Sequence, residues 1–211
     1  MSLIPAVPAT RSRPDATRQR VLDAAVSCVS RHGFQRTNLA SIARESGMTT
    51  GAIQHHFGDK ASLLAAVVER GFASMVERLS CLPLRPSGDG SASDLTERVR
   101  NMVDALWAGY EAKQTRASLE ILFAMRGDAA FGERANPFLV GMSERVDRLW
   151  MGSFWDLDLP RVRHMAAQRL IFTTLNGLAL ERILMPAMPD PRSDLDRLVR
   201  GVIHIFEEET E

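Results

Sequence analysis

The chain has 211 residues, 45% apolar and 25% charged, with 26 basic and 26 acidic side chains that cancel to no net charge. That balance supports a real hydrophobic core and excludes a disordered or low-complexity chain. No apolar run approaches the roughly 18–20 residues of a membrane span. The two cysteines, Cys28 and Cys81, lack metal-type spacing and read as free thiols of a reducing cytoplasm.

The neutral total hides a split. Residues 11–70 carry nine basic and five acidic side chains, whereas the rest of the chain carries 17 and 21. A basic front on an acidic body fits a front that meets a polyanion.

In chain order, residues 1–14 contain prolines and arginines without a long apolar stretch and read as a disordered arm, not a signal peptide. A first helix follows from about Asp15 to His32, with Val21, Leu22, Ala25, Val26 and Val29 on one face. Gly33 ends it, and Phe34 is placed to fold back on the last turn. Asn38 caps a short second helix that turns Leu39, Ile42 and Ala43 inward and stops at Gly47. A third helix starts after Thr49 and buries Ile53 and Phe57. Asp59 caps a fourth, which carries Leu63, Leu64, Val67 and Val68 towards Leu79.

Residues 83–93 (PLRPSGDGSAS) have loop chemistry. After them, Asp94 with Glu97 reads as a capping box, ahead of a helix bearing Leu95, Val99, Met102, Val103, Leu106 and Tyr110. Another helix is expected from Thr115 to Met125. Asn136-Pro137 has the cap-plus-proline signature of a helix start, leading into Phe138, Met142, Val146, Leu149, Trp150 and Phe154. Asp158 to Pro160 opens the next helix, to about Met185. Asp190-Pro191 opens the last, with the stripe Leu195, Leu198, Val199, Val202, Ile203 and Phe206. With no strand alternation and no internal repeat, the expected fold is all-α, with about nine helices.

Residues 38–57 (NLASIARESGMTTGAIQHHF) carry the functional signal. A two-turn helix ends at a glycine, and a second helix begins three residues later. The inward positions hold the pair crossed, and the second helix opens on small or polar residues: Thr49, Thr50, Gly51, Gln54 and His55. Such an end can enter a major groove. Small residues permit close approach, polar ones meet base edges or phosphates, and the free N–H groups favour phosphate. Within the histidine pair, His55 is the groove candidate and His56 lies nearer the backbone or the domain joint. Their 100° divergence on a helix argues against a metal site, and no cofactor is expected.

The segment RVLDAAVSCVSRHGFQRTNLASIARESGMTTGAIQHHFGDKASLL resembles the DNA-binding domain of TetR-family regulators. The matching elements are Val21-Leu22-Asp23-Ala24-Ala25, Gly33-Phe34, Thr37-Asn38, Ile42-Ala43, Gly47-Met48-Thr49, His56-Phe57-Gly58-Asp59-Lys60 and Leu63-Leu64. Gln54 stands where the family commonly has a phosphate-touching tyrosine, and Ala40 replaces a residue that is often polar. Lys60 is one of only two lysines, against 24 arginines, and falls on the family's lysine position at a helix start. It opposes the helix dipole there, a cost that a phosphate would offset.

The resemblance implies a palindromic operator bound by a dimer, with DNA contacts from Thr37, Asn38, Thr49, Thr50, Gly51, Gln54, His55, His56 and Lys60. It divides the chain into an arm (1–14), a three-helix helix-turn-helix domain (15–60), a connecting helix (61–80) and a helical effector-binding and dimerisation domain (81–211). In the last of these, the expected pocket residues for a small, partly apolar effector are Trp107, Tyr110, Phe123, Met142, Trp150, Phe154, His164 and Asn176. Bands on the last two helices are expected to pair across a two-fold axis: Leu170, Thr174, Gly177 and Leu178 on one, Leu195, Val199, Val202 and Phe206 on the other. Gly177 would permit close helix approach.

The default reading is a ligand-released repressor in the cytoplasm. The alternatives are a sensor of the same architecture that activates or works through protein contacts, and a small all-α ligand carrier, which would not need the basic front. Glu120 and Glu181 sit amid apolar residues, but without a nucleophile elbow, phosphate loop or metal spacing they suggest ion pairs with Arg116 or Arg182 in preference to catalysis.

Overall fold

The computed structural model describes residues 13–81 and 92–208. Those residues form nine α-helices and no strand: α1 (Arg13–His32), α2 (Leu39–Ser46), α3 (Thr50–Phe57), α4 (Lys60–Ser80), α5 (Ala92–Glu111), α6 (Lys113–Met125), α7 (Ala129–Ser153), α8 (Arg161–Leu184) and α9 (Arg192–Glu207). Residues 1–12 of the expected arm and most of the expected proline- and glycine-rich loop lie outside the described residues, whereas Arg13 and Pro14, expected in the arm, already belong to α1.

Each short helix at the front has a chemical start and stop. The Asn38 side chain accepts the Ser41 N–H, and the Ser41 hydroxyl accepts the Asn38 N–H, so α2 begins in a closed capping box. Gly47 ends it in the left-handed conformation at φ 66°, which a residue with a Cβ rarely adopts. Thr49 caps α3 by accepting the Ala52 N–H, and Asp59 caps α4 by accepting the Ser62 N–H. Each such cap contributes about 1 kcal/mol. Val21, Ala25 and Val29 of α1, Ile42 of α2, Ile53 of α3, and Leu63, Leu64 and Val67 of α4 are buried together.

The fourth helix runs on into the body, where it packs on α5, α6 and α7. Behind it, α5, α8 and α9 pack on one another as a second layer. The front also touches the body directly, through α1 and the 3-10 turn Phe34–Arg36 against α6.

Three sequence expectations change. Asn136-Pro137 does not start a helix: α7 begins at Ala129, capped by Asp128, and Pro137 lies inside it. Pro137 and Glu133, whose carbonyl loses its helical donor, are both exposed, so water serves that carbonyl. Asp94 does not stand ahead of a helix as its cap. It lies within α5 and pairs with Arg98 one turn on.

The stripe of α9 points inward. Leu195, Val199, Val202 and Phe206 are at most 5% exposed within a single chain, covered by α5 and α8. They are core residues with no surface left for a second subunit. Leu170 is half-buried for the same reason, against α9 at Gly201, where an added Cβ would lie 3.3 Å from Leu170 Cδ2. Within the chain, the close approach of α8 and α9 falls at Gly201. A Cβ on Gly177 meets nothing within 4 Å.

Candidate DNA-binding face and effector cavity

The core of the first four helices leaves the start of α3 standing free. Thr49, Thr50, Gly51, Gln54 and His55 are all exposed, while Ile53 and Phe57 on the opposite side are buried. A Cβ added at Gly51 would meet nothing within 4 Å. The exposed face therefore combines small residues with hydroxyl, amide and imidazole groups at a helix N-terminus. Asn38 is also exposed, with its side-chain oxygen committed to the cap. His56 is half-buried, its ring edge-on to His55 with centroids 5.7 Å apart. Lys60 is exposed, and its ammonium lies 5.5 Å from the centre of the Phe34 ring.

Thr37 does not belong to this face. It is 3% exposed, and its hydroxyl donates to the Gly33 carbonyl at 2.9 Å. Its hydroxyl and its burial both serve the turn between α1 and α2, so no groove can reach it.

Two charged side chains from the body hold the DNA-binding unit on either side of Lys60. Arg134 of α7 donates to the Asp59 carboxylate at 2.8 Å and to the Ser62 hydroxyl at 2.6 Å. The Asp59 carboxyl is held below its ordinary value by the Ser62 N–H and hydroxyl and, more weakly, by Arg134. On the other side, the Phe34 N–H donates to Glu120 Oε1 of α6 at 2.6 Å. The expected Glu120–Arg116 pair is thus replaced by a bond to backbone 86 positions away. The other expected pair also differs, because Arg182 sits 3.5 Å from Glu111.

The body contains a cavity of about 890 Å³ between α4, α5, α6, α7 and α8. Phe72, Met75, Leu119, Leu122 and Phe172 supply much of its apolar lining, with Tyr110 and Asn176 as a polar pair. The Tyr110 hydroxyl donates to Asn176 Oδ1 at 3.0 Å. Burial pushes that hydroxyl well above its ordinary pKa, so it stays a neutral donor. Arg161 and Asp147, paired at 3.2 Å, stand at the rim, with side chains 70% and 38% exposed.

Three of the expected pocket residues, Tyr110, Met142 and Asn176, line this cavity. The other five do not. Trp150, Phe154 and His164 form an aromatic cluster with Phe206: Trp150 and Phe154 have centroids 4.8 Å apart, Phe154 and Phe206 5.5 Å, and His164 and Phe206 6.0 Å. All are buried, and they fasten α7 and α8 to α9. Trp107 is buried on α5 away from the lining, and Phe123 is 49% exposed on the outer side of α6. Periodicity marks a residue as buried but cannot say which two helices it lies between. The wall residues Phe72 and Met75 escaped for the converse reason: α4 reads as a connector, and only its packing reveals that its second half is a cavity wall.

Residues 21–67 match the family described as bacterial regulatory proteins, tetR family. The HTH-type transcriptional repressor AcnR of Corynebacterium efficiens is 36% identical over 72 residues, 34% of this chain and 38% of that protein. The likeness to TetR-family regulators is carried by this front segment of the chain.

The chain spans 38% of the AcnR length in that match. Over the whole chain the likeness is one of fold. The fatty acid degradation regulator FadR from Bacillus halodurans superposes with a TM-score of 0.66 at 18% identity, covering 92% of this chain and 96% of that one. The multidrug binding protein EbrR, in complex with imidazole, gives 0.62 at 17% identity, covering 99% and 100%. Among the described residues, no helix is long and apolar enough to cross a membrane.

Proposed function

We propose that this protein is a TetR-type, ligand-released repressor that binds a palindromic operator as a dimer. The observation that carries the reading is the exposed start of α3, with Thr50, Gly51, Gln54 and His55 outward and Lys60 beside it. Phosphates would meet the helix N-terminus and Lys60, and base edges would meet Thr50, Gln54 and His55. The roughly 890 Å³ cavity has the size and the mostly apolar lining of a small-molecule site. The multidrug binding protein EbrR, solved with imidazole, supplies the analogy. The effector proposed here is a mainly apolar molecule with one polar group for Tyr110 and Asn176. Occupancy shifts the balance between two subunit arrangements and changes the spacing of the recognition helices.

The dimer is proposed to form through the open face of α8. Gly177 is exposed there with free space above it, and Leu184 is 69% exposed about two turns further on, next to Met185 at 49%. Thr174 and Leu178 flank this face, half-buried. Joining two copies across a two-fold axis covers the apolar end and sets both α3 helices on one side of a duplex.

Fluorescence anisotropy with duplexes from upstream of the protein's own reading frame tests the reading. A dimer should bind one of them, with affinity falling steeply as salt rises. A folded dimer that binds none of them at low salt would overturn it.

A further inference from the structure

We propose that Glu120, on the cavity-wall helix α6, is a positioning residue for Lys60 and acts through Phe34. The inference rests on the DNA-binding reading above and names a residue that carries the state of α6 to the DNA face. It starts from the bond between the Glu120 carboxylate and the Phe34 N–H, 2.6 Å long. Phe34 opens the 3-10 turn between α1 and α2, whose own bonds are local. The Thr37 N–H donates to the Phe34 carbonyl, and the Thr37 hydroxyl donates to the Gly33 carbonyl.

Gly33 permits the approach. Its φ is +77°, and a Cβ there would stand 3.4 Å from Glu120 Oε1. The carboxylate thus fixes the backbone that aims the Phe34 ring, and the Lys60 ammonium sits over that ring at 5.5 Å from its centre. A cation over an aromatic face is attracted by the ring quadrupole. Arg134 engages Asp59 and Ser62, which flank Lys60 in sequence, so the lysine stem rises from a fastened helix end.

The other end of the relay is the cavity. Leu119 and Leu122 line it, and Glu120 lies between them in sequence on the same helix. Along α6, neighbouring positions point about 100° apart, so the wall residues face the cavity while Glu120 faces the turn. A displacement of α6 away from the turn would lengthen the bond to Phe34 and free the Phe34 ring from beneath Lys60.

The test compares the full-length protein with Glu120→Ala and Glu120→Gln by nuclear magnetic resonance and by duplex binding. Glutamine keeps an acceptor oxygen, and alanine keeps none. In the wild type the Phe34 amide proton should lie far downfield, and the Lys60 side-chain methylenes should be shifted upfield by the ring. Glu120→Ala should abolish both shifts, weaken duplex binding about two- to fivefold, and make the salt slope shallower by up to about one unit. Glu120→Gln should restore most of each.

If the Lys60 shift and the salt slope are unchanged in Glu120→Ala although the Phe34 amide has lost its bond, Glu120 only fastens the turn and the proposal fails. A wild type that binds no duplex but shows the Lys60 shift, lost in Glu120→Ala, would instead overturn the DNA-binding reading and leave the positioning in place. Should Glu120→Ala not fold, Glu120→Ser decides, because its hydroxyl is too short to reach the Phe34 N–H: loss of both shifts in that folded variant supports the relay, and unaltered Lys60 shifts with a lost amide bond would overturn it.

Discussion

Gly71 of α4 and Ser118 of α6 pack so closely that a Cβ on Gly71 would fall 2.2 Å from the Ser118 hydroxyl oxygen and 3.0 Å from the Gln114 carbonyl. That hydroxyl lies 3.2 Å from the Val67 carbonyl of α4 and 2.9 Å from the Gln114 carbonyl of its own helix. The connecting helix and the cavity-wall helix are therefore in backbone contact here. Gly71→Ala should destabilise the protein by about 1–3 kcal/mol, because backbone and not a flexible side chain has to give way. Thermal unfolding measures it, and an unchanged midpoint would show that α4 and α6 are free to part.

Gly177 presents the opposite case. In an isolated chain, Gly177→Ala should stabilise α8 by about 1 kcal/mol, since nothing obstructs the methyl group and glycine is a poor helix former. Gly177→Leu should then dissociate a dimer built on this face while each chain stays folded, as sedimentation would report. Val202→Asp is no clean probe of the same interface. Val202 is fully buried within one chain, and an unpaired carboxylate there should unfold the body. A Gly177→Leu variant that stays dimeric would place the interface elsewhere.

On the DNA face, Lys60→Ala should weaken binding to all duplexes alike and reduce the salt slope by about one unit. Thr50→Ala and His55→Ala should change the preference at particular base pairs, because these residues stand exposed at the start and in the last turn of α3. Binding to a panel of single-base variants at several salt concentrations separates the two outcomes. A Lys60 variant with altered sequence preference and an unaltered slope would reverse the assigned roles.

Acid should weaken the joint between α5 and the end of α7. The Arg98 guanidinium, 4% exposed, holds Asp156 at 2.7 and 2.8 Å and lies 5.2 Å from the centre of the Phe154 ring. Hydrogen bonds from Arg98 hold the Asp156 carboxyl below its ordinary value, against a smaller opposing effect of burial. A carboxyl lowered on folding contributes stability that is fully present above the unfolded value of about 3.9 and is lost as pH falls through the folded one. Asp156→Ala should cost about 1–3 kcal/mol at neutral pH by leaving the buried guanidinium underpaired. It should also flatten the dependence of stability on pH below about 4. An equally steep acid limb in the variant would assign that limb to other carboxylates.

The cavity can be followed through its own chromophore, since Tyr110 is the only tyrosine in the chain. Burial raises its pKa above the ordinary value of about 10. Stability linked to the neutral hydroxyl is therefore complete below pH ~10 and declines as pH rises towards the folded value. Tyrosinate absorbance should appear only above the ordinary range, or together with unfolding. Asn176→Ala, which removes the acceptor while leaving the burial, should keep the phenol neutral past pH ~10. Ordinary titration near pH ~10 in the folded protein would show a hydroxyl open to solvent.

The sequence by itself determined the local structure of the front. Asn38, Gly47, Thr49 and Asp59 specify caps and stops through bonds to residues three or four positions away, and the spacing of Ile42, Ile53 and Phe57 fixes which side of each helix faces inward. With the inward side known, the outward residues Thr50, Gly51, Gln54, His55 and Lys60 follow. The exception was Thr37, which the family resemblance assigned to DNA but whose hydroxyl closes a turn on Gly33.

In the body, only the tertiary structure decided what each apolar stripe is for. The α9 stripe has the same periodicity whether it meets α5 and α8 or a second subunit, and the aromatic residues at Trp150 and Phe154 have the same spacing whether they line a cavity or fill one. The Asn136-Pro137 signal lost to the packing of α7 on both sides of it, because Phe131 and Ala135 upstream are buried and the carbonyl left without a donor faces water. The bond from Phe34 to Glu120 joins positions that no local pattern relates, since it exists only where α6 packs against the turn. Hydrophobic periodicity encodes a direction along one helix, and the identity of the neighbour in that direction is a property of the assembled fold.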